Sequence, residues 1–259
     1  MMDDNPRSRR YILITAVIML AVLLAVSTVR SARNSEAVFP ATSATELSII
    51  AGKTSVFVST SNGNDIKARL SHADDLFVTH DGNRITIETG SMGILGIELP
   101  AEAIASLSVS TSSGDVDLSS VRAGSISIST SSGSMIITSL ESDSLKAESA
   151  SGSITLTETE TGITELSRAS GSITAISTSG GISASTSSGN IYIVPDEESS
   201  VRALSASGNI SIHSARGAVR WQTASGDARI FGLEMPSSGG TDNASIAVTT
   251  ESGDISISA

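Results

Sequence analysis

The chain has 259 residues, a formal net charge of −11 and no cysteine. Without cysteine it has no disulfide, thiolate nucleophile, Cys-ligated metal or lipid-modified cysteine anchor. The acidic balance, with no basic stripe to neutralise phosphates, argues against a nucleic-acid partner, and the length suits one elongated domain.

Residues 1–10 are polar and carry Arg7, Arg9 and Arg10. Residues 11–29, YILITAVIMLAVLLAVSTV, hold no charge. At about 1.5 Å rise per residue they would span about 30 Å, the hydrocarbon thickness of a bilayer. The rival reading is a cleaved signal peptide, with an apolar core of about 7–15 residues and Ala25-Val26-Ser27 as the small-residue site. An uncleaved transmembrane helix is the reading adopted, with the lipid bilayer as a first partner. Arg30 and Arg33 follow the span, so arginines flank both ends. The short Arg-rich tail is nevertheless expected in the cytoplasm and the rest of the chain outside it. Residues 30–46 read as a polar tether.

Residues 47–106 read as an irregular β cap with the first coils. Leu47–Ile50, Ser55–Val58, Ile66–Leu70, Leu76–Val78 and Ile85–Ile87 alternate or cluster apolar residues as strands do. Asp81-Gly82-Asn83 has the composition of a hairpin turn. Asn62-Gly63-Asn64 is like the corners found later in the chain, and a solenoid needs such an atypical end to cover its first coil.

From residue 107 the chain repeats. Ser-Gly pairs occur at Ser113-Gly114, Ser132-Gly133, Ser151-Gly152, Ser170-Gly171, Ser188-Gly189, Ser207-Gly208, Ser225-Gly226 and Ser252-Gly253, with glycine spacings of 19, 19, 19, 18, 19, 18 and 27. Two and four residues after the glycines come apolar columns: Val116, Met135, Ile154, Ile173, Ile191, Ile210, Ala228, Ile255, and Leu118, Ile137, Leu156, Ala175, Ile193, Ile212, Ile230, Ile257. The residue between is polar except at Ile136, the alternation of a strand with one buried face. A weaker apolar pair precedes most glycines by seven and five residues, from Leu107/Val109 to Ile246/Val248, with Thr164/Leu166 breaking it. Like columns in like order predict parallel stacking: an all-β parallel β-solenoid (β-helix) of about nineteen residues per coil.

At each corner glycine is expected to supply positive φ, and the Asp, Asn or Ser after it to bond nearby backbone. The stacked corner serines are expected to form a hydroxyl ladder. Eight equivalent serines are a structural column rather than a nucleophile with its base. In the longest gap, Gly232 to Asn243 read as an inserted loop with Pro236 and Gly239-Gly240, either a tolerated insertion or a recognition site, since loops on rigid scaffolds carry specificity. The last run, Ile255 to Ala259, is expected either to leave an open coil for end-to-end self-association or merely to fray at a polar end.

Catalytic chemistry finds no foothold. His72, His80 and His213 share no metal-binding or general-base spacing and read as surface residues. Trp221 stands in an apolar column and reads as core. Asp115, Asp227 and Asp254 share a corner column, but the dense Gly-Gly-x-Gly-x-Asp pattern of calcium-binding β-rolls is missing. No cofactor, metal or catalytic residue is therefore expected.

Ile97-Glu98-Leu99-Pro100, then Ser108 to Leu118 (SVSTSSGDVDL) and Ala150 to Leu156 (ASGSITL), resemble the bacterial "putative adhesin" β-strand-repeat domains of unknown function. The resemblance covers about residues 40–259. It implies an envelope protein, often behind one membrane span, and brings no catalytic residues. The function expected is a membrane-anchored, non-catalytic interaction or adhesion module for an unidentified envelope protein or glycan. The alternatives are a regulatory or structural envelope-stress component, or a self-assembling scaffold like the bactofilins.

Overall fold

The computed structural model describes residues 27–29, 36–71, 76–90, 92–196, 199–213, 219–231, 246–252 and 255–258, with side chains at all of these except 27–29, 221, 246–252 and 255–258. The described chain is all β and forms a solenoid from two parallel ladders. One ladder stacks the strands Ile104–Thr111, Arg122–Thr130, Gly181–Ser188, Ser200–Ser207, Val219–Ser225 and Ile246–Ser252. The other stacks Val116–Ser119, Ile173–Thr178, Ile191–Pro195, Ile210–His213, Ala228–Phe231 and Ile255–Ser258. Met135–Ser151 and Ile154–Ser170 are long enough to bend and serve both ladders.

Pairing is like on like, as the columns require. Ile126 lies between Leu107 and Leu145, and Ile137 between Leu118 and Leu156. A parallel ladder puts these side chains on one face at a coil spacing of about 4.8 Å, so the two inner faces meet as one apolar core. Ile49, Ile97, Leu118, Ile137, Leu156, Ile193 and Ile212 are all buried in it. Thr164, the break in the apolar pattern, is also buried and shares a 2.6 Å hydrogen bond with the Thr161 hydroxyl.

The return bend opposite the glycines has a device of its own. Ser120, Ser139, Glu158 and Ser177 adopt φ of 56, 54, 54 and 51° on four consecutive coils. Left-handed backbone costs an ordinary residue about 1–2 kcal/mol. The bend accepts that cost because it turns the next residue (Val121, Leu140, Thr159 and Thr178) into the core.

The leading region differs from a merely irregular cap. Glu46–Ala51 and Ser55–Thr60 form a regular coil directly beneath the one at Gly114. Below that coil lies another, Arg84–Thr89 with Ile94–Leu99. The chain thus builds its second coil first, descends to make the lowest, then climbs past both. Asn62-Gly63-Asn64 is no solenoid corner: it leads from Ser55–Thr60 into Asp65–Ser71, which runs antiparallel to Ile94–Leu99. Phe77–Asp81 pairs antiparallel with Arg84–Thr89 through the turn at Gly82 (φ 58°) and Asn83. The bottom edge of each ladder is closed in this way by antiparallel strands.

The tether is shorter than expected. Its residues 30–35 lie outside the described residues, but Glu36–Pro40 is a strand antiparallel to Asp65–Ser71, with Ala37 and Phe39 packed against the core. An edge strand needs only one weakly apolar face, which is why this run read as polar linker. Residues 11–26 of the expected membrane span also lie outside the described residues, and Ser27–Val29, its last three, form a short strand along Phe77–Asp81. No helix among the described residues is long and apolar enough to cross a membrane.

Candidate functional site

The corner column is tighter than turn chemistry alone requires. Gly152, Gly171, Gly189, Gly208 and Gly226 have φ between 117 and 145°. Gly114 and Gly133 do not, yet a Cβ on Gly133 would overlap the Gly114 carbonyl oxygen, and one on Gly114 the Thr54 carbonyl. The corner glycines therefore serve mainly to let each corner settle on the backbone below it. Gly253 and Asp254 lie outside the described residues.

Ser113, Ser132, Ser151, Ser170, Ser188, Ser207 and Ser225 are all exposed at the corner, and Ser252 ends its strand. The expected ladder forms at the residue after the glycine instead. The Ser134 amide donates to Asp115 Oδ1 (2.8 Å), Asn209 to Asn190 Oδ1 (2.9 Å) and Asp227 to Asn209 Oδ1 (2.9 Å). Ser134 Oγ makes the same one-coil link to the Ser153 amide at 3.4 Å, longer than the links made by the carboxylate and amide oxygens.

The remaining expected positions separate. Gly232–Asn243 and His72 lie outside the described residues. Trp221 pairs in register with Ala203 of the buried column, its side chain not described. His80 is half-buried in the cap strand Phe77–Asp81. No group of His, Asp or Glu among the described residues could hold a metal ion.

His213 is where the structure adds something. It is half-buried on the outer face of the second ladder, between Tyr192 one coil below and Phe231 one coil above. The His213 and Phe231 rings are stacked, centroids 4.5 Å apart and 18° from parallel. Tyr192 leans on His213 at 5.1 Å and 50°. Such pairs contribute about 0.5–1.5 kcal/mol each beyond burial. Ser211 Oγ lies 3.1 Å from His213 Nε2 and steadies the ring. Tyr192, Phe231 and Ile176 keep 38, 37 and 36% of their surface exposed, so the ladder ends in a solvent-facing apolar strip. Ile176, Val194, His213 and Phe231 all stand five residues after a corner glycine. That column was present in the sequence, but periodicity of the core draws attention only to the inward positions.

A groove of about 430 Å³ along the return bend is lined by Ser120, Arg122, Ser139, Glu141, Glu158 and Glu160. Arg122 pairs with Glu141 at 3.0 Å and the Ser139 hydroxyl donates to Glu158 at 3.2 Å. These open, mutually paired side chains give the groove the character of a solvated polar face.

A parallel β-solenoid with a closed base, glycine-stacked corners and an exposed aromatic strip is a scaffold that offers surface. The chain belongs to the Toastrack DUF4097 family, whose sequence pattern matches residues 44–258. A crystal structure of a "putative adhesin" from Parabacteroides merdae is 13% identical, with 86% of this chain and 95% of that one covered, at a TM-score of 0.57. A "putative adhesin" from Bacteroides fragilis is 14% identical, covering 88% and 99%, at a TM-score of 0.42. The first of these likenesses is one of fold. No curated protein matches the sequence.

Proposed function

We propose that the chain is a non-catalytic interaction module of the adhesion type, held at the cell envelope by the apolar run within residues 11–26 with the solenoid outside the cytoplasm. The observation that carries this reading is the Tyr192–His213–Phe231 strip. In a chain with only 3% aromatic residues, three rings from three coils meet on one outer face, and aromatic residues dominate the energetics of recognition. The names given to the structural relatives agree with it. The partner class is an envelope protein or a glycan.

Full-length protein in detergent should bind at least one member of a glycan array or one immobilised envelope protein. A Tyr192→Ser/Phe231→Ser double variant should bind that partner at least about tenfold more weakly. Ser127→Ala, on the other ladder, should bind like the parent. Equal binding by the double variant would remove the strip from the function, and turnover of a substrate lost on a single side-chain change would make the protein an enzyme. Topology is tested separately. Protease added to intact protoplasts should degrade the solenoid, and survival of the full-length chain would place it inside and favour a polymer-forming scaffold.

A further inference from the structure

Three residues before each corner glycine an inward column runs through the stack: Thr111, Thr130, Ser149, Arg168, Thr186, Ser205 and Thr223, every one buried. Successive members are in register. Their usual task is to tie the corner down. Thr111 Oγ1 accepts from the Gly114 amide and Thr130 Oγ1 from the Gly133 amide, each at 3.0 Å.

Arg168 departs from the pattern. Arg168, a residue only 4% exposed, puts a guanidinium where its neighbours have hydroxyls. Nη1 donates to the Ser172 carbonyl at 2.6 Å and Nη2 to the Ser170 carbonyl at 2.7 Å. Both of these acceptors are neutral carbonyls, and desolvation by burial pulls the Arg168 pKa down. Arg168 Nε is buried without a partner, and so is Thr186 Oγ1, one coil above in the same column. Two adjacent orphaned polar atoms beside an unneutralised buried cation are costly unless a guest satisfies both.

We infer that a halide-sized monovalent anion, chloride, lodges beside Arg168 Nε and Thr186 Oγ1 and accepts a hydrogen bond from each. It neutralises the guanidinium and joins two coils through the core. Donors on neighbouring coils, about 4.8 Å apart along the stack, can both point at one monatomic ion set to the side of the column. Ions reach the column through a groove of about 430 Å³ lined by Ser131, Glu148, Ser149, Ala150, Arg168 and Ser187. Glu148, the acidic group on its rim, is held by Lys146 at 3.0 Å.

The test is thermal melting of the full chain in detergent at constant ionic strength, with chloride or bromide exchanged for gluconate. Saturable stabilisation is expected, about 5 °C or more at a hundredfold excess over the dissociation constant. Arg168→Thr, which restores the column's usual residue, should fold and lose the halide response, and Thr186→Val should weaken it. Crystals grown in bromide should show the ion beside both atoms. Halide-independent melting of the parent, an unchanged response in Arg168→Thr, or a water in place of bromide would each overturn the assignment.

Discussion

Gly152→Val should melt about 10 °C or more below the parent chain, while Thr155→Val, three residues on, should melt within about 2 °C of it. Two penalties coincide at Gly152. Its φ is 117°, where a β-branched residue is strained, and its Cβ would overlap the Gly133 carbonyl oxygen, which cannot retreat without parting the coils. Thr155 lies on the outer face between Ile136 and Thr174, so a hydroxyl exchanged for a methyl displaces nothing. Two further variants separate the penalties. Gly82→Ala meets no atom within 4 Å and keeps only the cost of φ 58°, about 1–2 kcal/mol. Gly133→Ala has no such φ and meets the Gly114 carbonyl below it, with Thr130 Oγ1 a lesser contact. If close approach is the dominant reason for glycine, Gly133→Ala is the worse of the pair. Should Gly82→Ala prove worse, the corners are governed by dihedral angle instead.

Excising residues 61–101 should convert the protein into concentration-dependent oligomers that elute early from a sizing column. The deletion respects the stack. Ser59 lies in register with Ser119, and Ile104 with Ala123, so joining Thr60 to Glu102 recreates the four-residue step that regular coils use. What it removes is the base: Asp65–Ser71, Phe77–Asp81 and the lowest coil. The lower edges of Glu46–Ala51 and Ser55–Thr60 would then present unpaired backbone along parallel ladders, the arrangement most prone to recruit another chain. An excised chain that elutes like the parent, corrected for mass, would show that those strands do not guard the edge.

The regular stack was legible because the constraint behind it repeats. Each coil must bury the same positions against the same neighbours, so Val116, Met135 and Ile154 line up without a structure. The base was legible only as strands. Leu47–Ile50 and Ile85–Ile87 alternate correctly, but nothing local to either says that they are adjacent coils or in which order. The left-handed bend at Ser120, Ser139, Glu158 and Ser177 carries no glycine or asparagine to announce it. The Thr/Ser column was hidden because polar residues were assigned outward, although a hydroxyl that satisfies a corner amide is at home inside. The aromatic strip escaped for the opposite reason. Tyr192 lies three residues after its glycine while His213 and Phe231 lie five after theirs, and only the sheet's geometry brings the two offsets together.

The reversed order of the lowest coils bears on how the molecule comes into being. Above the base, each strand finds its neighbour one repeat away, as Ile126 finds Leu145. Leu47 must instead wait for Ile85 on one side and Leu107 on the other. Closing that wider span costs about 1 kcal/mol more than closing a single repeat, before any contact repays it. Growth therefore starts most easily in the middle of the chain and travels downward, so the segment made first is among the last to find its place. During synthesis its bare strands stay open to helpers or to mispairing until the residues meant to flank them have emerged.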